Sequence, residues 1–243
     1  MTNGRKIYNL AKRIFPFNRS LTGQGNVLTL YELKKVFKNL KIKKIESNSK
    51  AFDWKVPLEW DVKKAKLIKI NGDVVIDFKK NNLHLVSYSQ PVNKIISLKK
   101  LKKHLFYEKK LPNAIPYRTS YYHKNWGFCL SYNQFKKLKE KKYKVEIQSS
   151  FKKGFMHYGE VLIKGKTKKE VLLSTNICHP SLANNELSGP TVLIYIAKFL
   201  KQLKKRKFSY RIVFLPETIG SIAYLKKNYK KIKKNFFAGF NCV

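Results

Sequence analysis

The sequence predicts an α/β protein: a mixed, mainly parallel sheet flanked by helices, with a small β-rich domain inserted into it. Three observations carry this. Between Val171 and Val243, the apolar runs Val171–Ile177, Tyr210–Leu215 and Phe236–Val243 alternate with helical patterns at about Leu187–Lys204 and Ser221–Lys233. Strands separated by helices join in parallel through right-handed crossovers, and runs that are apolar throughout mark strands covered on both faces. Between Ser47 and Cys129 the pattern changes to period two and is rich in aromatics and prolines, the signature of a separate β unit. Finally, 43% hydrophobic and 14% aromatic residues in a chain of 243 support a real core, so the net charge of +39 does not signal disorder.

Two amphipathic helical patterns open the chain, about Ile7–Ile14 and Leu28–Leu40, separated by a turn-rich stretch from Pro16 to Asn26. In the β-rich region, Ala65–Ile70 and Asp73–Phe78 flank Asn71-Gly72, a strong signal for a two-residue hairpin. Leu98–Leu105 reads as a short helix. Tyr143–Phe151 and Met156–Lys164 alternate well enough to pair as antiparallel strands around Lys152-Lys153-Gly154. The expected domains are therefore residues 1–46 with 130–243 for the α/β domain, and 47–129 for the insert. The run Phe236–Val243 has the pattern of an interior strand.

Composition narrows the function classes. No apolar run approaches the ~20 residues needed to span a bilayer, and residues 1–17 lack the apolar block of a signal peptide, so a soluble cytoplasmic protein without a membrane partner is expected. Cys129, Cys178 and Cys242 are odd in number and widely spaced, which suits a reducing compartment and excludes a Cys-x-x-Cys metal site. Of 53 basic residues only Arg5, Arg13, Arg19, Arg118, Arg206 and Arg211 are arginine. The lysines are spread from end to end on solvated surfaces, which argues against a nucleic-acid partner. Nothing matches a phosphate loop, a nucleophile elbow or a dinucleotide fingerprint.

Ligands of open α/β sheets bind beyond the carboxyl ends of the strands. His179 lies just past the end of Val171–Ile177, and Glu217 just past the end of Tyr210–Leu215. One helix joins those strands, so they are parallel and can be neighbours. An imidazole and a carboxylate at one sheet edge suit a hydrolytic metal site: a neutral nitrogen ligand, and a base to take a proton from water. The loop Ala183-Asn184-Asn185-Glu186 supplies further oxygens over the same edge. Singly, His179 reads as a core-edge histidine and Glu217 as a charge facing a helix dipole; their joint placement favours function.

The runs Cys178-His179-Pro180-Ser181-Leu182-Ala183-Asn184, Leu187-Ser188-Gly189-Pro190 and Pro216-Glu217-Thr218-Ile219-Gly220-Ser221 resemble the aminopeptidase-like proteins of the DUF4910 and DUF2172 group. These are distant relatives of the M28 zinc aminopeptidases, often encoded among surface-polysaccharide genes. The similarity spans the chain, through Arg19-Ser20-Leu21-Thr22-Gly23, Phe52-Asp53-Trp54, Glu59-Trp60, Pro116-Tyr117 and Trp126-Gly127-Phe128-Cys129. It implies a phosphorylase/hydrolase-like core, a Zn2+ cofactor, and a peptide-like or amidated small substrate. It implies His179 as a zinc ligand and Glu217 as the general base. Asn185 stands where the family has an Asp ligand, with Glu186 as a possible substitute. Family members continue past the position of Val243 to further ligands and a winged helix. The expectation is thus a truncated or split enzyme, weak alone, with a second polypeptide able to supply the remainder. The alternative is a non-catalytic remnant whose Trp54, Trp60 and Trp126 bind glycans or protein.

Overall fold

A computed structural model describes residues 3–243. Met1 and Thr2, with which the first expected domain segment begins, lie outside the described residues. The chain divides into two compact units, Trp60–Lys152 and the segments on either side of it.

The discontinuous unit begins with helices α1 (Asn3–Ile14) and α2 (Gln24–Val36), then strand β1 (Lys41–Glu46) and a small hairpin, β2 (Lys50–Ala51) with β3 (Trp54–Lys55). Trp60–Lys152 holds β4 (from Glu59 to Lys69), β5 (Val74–Asp77), β6 (Val92–Ser97), α3 (Leu98–Leu101), β7 (Leu105–Phe106), β8 (Phe128–Cys129), α4 (Tyr132–Lys136) and β9 (Lys142–Lys152). The first unit then resumes with β10 (Phe155–Ile163), β11 (Glu170–Asn176), α5 (Gly189–Gln202), β12 (Ser209–Leu215), α6 (Ile219–Asn235) and β13 (Phe236–Cys242).

Its five-stranded sheet has the order β1-β10-β12-β11-β13. β1 and β12 both run antiparallel to β10, whereas β12 and β13 both run parallel to β11. The sheet is therefore mixed in equal parts rather than mainly parallel. Only the β11-α5-β12-α6-β13 segment has the helical crossovers that parallel pairing needs. Alternate residues of β12 face opposite layers. Ile212 and Phe214 enter a core with Leu10, Leu30, Leu33, Leu193, Ile194 and Ala197 from α1, α2 and α5; Val213 and Leu215 enter a second core with Tyr158 and Tyr224, under α6. On that second face Arg211 is buried between two neighbouring strands. It makes two bonds to Glu170 and one to Glu160, and Glu160 also binds Lys43 and the Tyr224 hydroxyl.

One expected pairing is corrected. β9 lies between β4 and β6, and β10 between β1 and β12, so the two do not pair with each other. Alternation identifies a strand but not its partner: six residue pairs join β6 to β9, and six join β1 to β10. The second compact unit runs from Trp60 to Lys152, beside the 47–129 expected for the insert. Among the described strands β13 pairs with β11 alone, and Phe236, Phe237 and Phe240 are exposed.

In Trp60–Lys152 the sheet order is β5-β4-β9-β6. Trp60 stacks on Tyr88 and Trp126 on His104, and both indoles are buried. The Asn71-Gly72 hairpin forms as expected between β4 and β5, with Gly72 at φ 98°.

Candidate functional site

β11 and β12 are parallel neighbours in register, Asn176 opposite Leu215, and the ladder continues to Ile177. Cys178 and His179 therefore leave the sheet beside Pro216 and Glu217. The structure brings the two sequence-predicted residues together: His179 Nε2 lies 3.2 Å from Glu217 Oε2. The imidazole is buried, whereas the Glu217 side chain is 46% exposed, so the pair has one dry and one open side.

Glu186 occupies the dry side. Its Oε1 lies 3.1 Å from His179 Nδ1, and its Oε2 accepts the backbone N–H groups of Cys178 and His179. It reaches them from a turn over Asn184–Ser188, where it adopts φ 64°. Ser181 and Thr218 are also left-handed, at φ 49° and 56°. Non-glycine residues rarely sit there, and such strain of about 1–3 kcal/mol each collects where surrounding contacts over-determine a site.

Asn185 is exposed. Burial lowers the His179 pKa. Glu217 and Asn185 oppose that shift and the Arg19 charge adds to it, leaving a neutral ring near pH 7. Burial likewise pushes Glu186 up to about 7 against its amide hydrogen bonds, and raises the Cys178 thiol well above its usual range.

Two residues escaped the sequence reading. Cys178 Sγ accepts the Glu217 N–H at 3.2 Å and lies 3.6 Å from Glu186 Oε1. Together Cys178, His179, Glu186 and Glu217 place one potential ligand atom each within 4.8 Å of the others, and among the described residues they form the single such group. Arg19 is fully buried and donates to the carbonyls of Ile14, at the end of α1, and of His179, at 2.9 and 2.6 Å. Its loop is clamped by Asn26, whose side chain pairs with both the N–H and the carbonyl of Ser20. The Arg19–Gly23 run was the available signal for Arg19; for Cys178 it was adjacency to His179. His84 and His104 are held at backbone carbonyls within their own unit.

The mixed α/β fold resembles that of solved aminopeptidases. BSAP, a zinc aminopeptidase from Bacillus subtilis, superposes with a TM-score of 0.64 at 13% identity, over 98% of this chain and 67% of that one. A peptidase precursor of the M28 type from Shewanella amazonensis gives 0.56 at 13%, over 97% and 73%. The chain belongs to the DUF4910 family, described as a domain of unknown function, whose model matches residues 8–243. A Clostridium acetobutylicum protein, provisionally assigned as a polysaccharide biosynthesis protein with an aminopeptidase-like domain, is 46% identical over 95% of this chain. The crystal structure of a provisionally assigned peptidase from the same organism superposes with a TM-score of 0.94, at 46% identity over 98% of this chain. The chain spans about half the length of these two relatives, 52% and 56%. Among the described residues no helix is long and apolar enough to cross a membrane.

Proposed function

We propose that the chain carries part of the active site of a zinc-dependent, aminopeptidase-like hydrolase acting on a peptide-like or amidated small substrate. The observation that carries this reading is the 3.2 Å approach of Glu217 to His179 at the ends of adjacent parallel strands. The donor set suits zinc: a neutral imidazole, carboxylates and a thiol, all of types that zinc accepts. Zinc, when bound, supplies Lewis acidity to the substrate carbonyl and to water. His179 would hold the metal. Glu217, half open to solvent, takes the proton from water at its free carboxylate oxygen and can return it to the leaving amine. Glu186 and Arg19 fix the backbone on either side of the ligand. Asn185 brings an amide where the resemblance predicts a carboxylate, so we expect weak zinc binding and slow turnover by this chain. Sequence matching the remainder of the longer relatives, on this or a second polypeptide, would supply further ligands.

Of the tryptophans in the glycan-binding alternative, Trp60 and Trp126 are buried and stacked inside their own unit, and Trp54 is half-buried.

Metal analysis of the purified chain together with peptide hydrolysis tests the proposal. Zinc uptake should be lost in His179→Ala. In Glu217→Gln it should persist, while hydrolysis falls by about 10²–10⁴-fold. Zinc content unaffected by His179→Ala, or full hydrolysis by Glu217→Gln, would refute it.

A further inference from the structure

One helix carries charge that its own structure does not need. α6 has six lysines and no carboxylate. Cations in a last turn complement the helix dipole, which accounts for Lys233 and Lys234. Lys226, Lys227, Lys230 and Lys231 lie before that turn, where like charges four residues apart destabilise a helix. Among the described residues, none of these four pairs with a carboxylate. The β2–β3 hairpin packs against α6, and the four lysines line a cleft of about 450 Å³ together with Phe52 and Tyr229. Both rings are exposed. Phe52 opens the two-residue turn between β2 and β3, at φ 58°. A left-handed residue in such a turn is usually glycine, so a bulky ring is held there against its backbone preference. Lys226 Nζ lies 5.2 Å from the centre of that ring.

We propose that this cleft binds a nucleoside diphosphate, its phosphates at the four lysines and its base against Phe52. Each part of the cleft matches one part of such a ligand. Lysine ammonium groups bind phosphate as point charges, and four of them together call for more than one negative charge. A single carboxylate would leave most of that charge uncompensated. Exposed aromatic rings stack on bases, whatever the base, because every base has a π-face. The volume falls within the range of small-molecule sites, about 300–1,000 Å³. The site goes beyond the hydrolase reading and does not depend on it.

Calorimetric titration of the full chain with ADP and with pyrophosphate tests this, at about 0.15 M salt to screen the diffuse field of the net +39 charge. ADP should bind at least about tenfold more tightly, the gain expected of one stacked base, although pyrophosphate carries no less charge. Phe52→Leu should remove that margin and leave pyrophosphate binding unchanged. Lys227→Gln/Lys230→Gln should weaken both ligands about tenfold. Lys99→Gln/Lys103→Gln, which removes the same charge from the other unit, should leave both within about twofold. Circular dichroism checks that each variant is folded. Equal affinity for ADP and pyrophosphate, equal losses in the two lysine pairs, or no binding of ADP at about 1 mM would each overturn the proposal.

Discussion

At the scale of single residues, the site is held by side chains that bind backbone rather than substrate. Arg19 is the clearest case, since its guanidinium ties the end of α1 to the His179 carbonyl with no exposure to solvent. Charge-assisted hydrogen bonds of this kind contribute about 1.5–3 kcal/mol each, and removing the donor leaves two buried carbonyls unmatched. Arg19→Gln should destabilise the chain by about 2–4 kcal/mol, read from urea unfolding, and weaken zinc binding with no change in the ligands themselves. Wild-type stability in that variant would show that Arg19 is incidental. His179 and Glu217 were legible in the sequence because strand ends can be counted from apolar runs. The position of Glu186 was not, because it depends on a left-handed residue turning a carboxylate back onto two amides. The contacts of Cys178 were hidden for the same reason: they form only when the loop closes over it.

Between elements, close packing and buried charge set the tolerances. α5 starts at Gly189 against two strands. A Cβ there would lie 2.4 Å from Thr175 Oγ1 and 2.5 Å from the Cys242 carbonyl oxygen. Gly189→Ala must displace backbone and should cost about 1–3 kcal/mol in chemical denaturation, despite alanine's better helix propensity. An unchanged or higher stability would contradict the contact. On the other face of the sheet, Arg211 neutralises Glu170 and Glu160 across β11 and β10. Burial would raise the Glu160 pKa, but hydrogen bonds from Lys43 and Tyr224 and the Arg211 charge hold it below the ordinary value. Arg211→Met strands two buried carboxylates and should destabilise by about 3–5 kcal/mol, more than an apolar truncation of similar size; a loss under about 1 kcal/mol would show them hydrated. The crossover segment β11-α5-β12-α6-β13 was legible in sequence because helix and strand periods differ. The partners of β9 and β10 were not, because period two is the same for every antiparallel neighbour.

For the whole molecule, acid sensitivity separates into individual contributions. His84 is buried, with Nδ1 at the Cys129 carbonyl, and burial pulls its pKa below 6.5. The unfolded chain then takes up the proton first, so stability from His84 is complete above about pH 6.5 and is lost as pH falls through the folded value. Against a His84→Gln variant, the wild-type advantage should shrink between pH 7.5 and 5.5 in thermal unfolding. An advantage that grows over that range would reverse the sign and sink the assignment.

The edge strand β13 has a consequence for how the protein behaves in solution. It reads Phe-Phe-Ala-Gly-Phe-Asn-Cys, with no lysine in a chain otherwise crowded with them, and its aromatic rings are exposed. Bare apolar edges invite pairing with other copies, and charge is the usual deterrent. Here the deterrent is global: a net +39 keeps copies apart while its field reaches across the gap between them. Salt shortens that reach from about 30 Å at 0.01 M to about 8 Å at 0.15 M. The chain should therefore be colloidally stable in dilute buffer and grow turbid as salt is added, the reverse of ordinary salting-in, and Phe240→Lys should raise the salt concentration it tolerates.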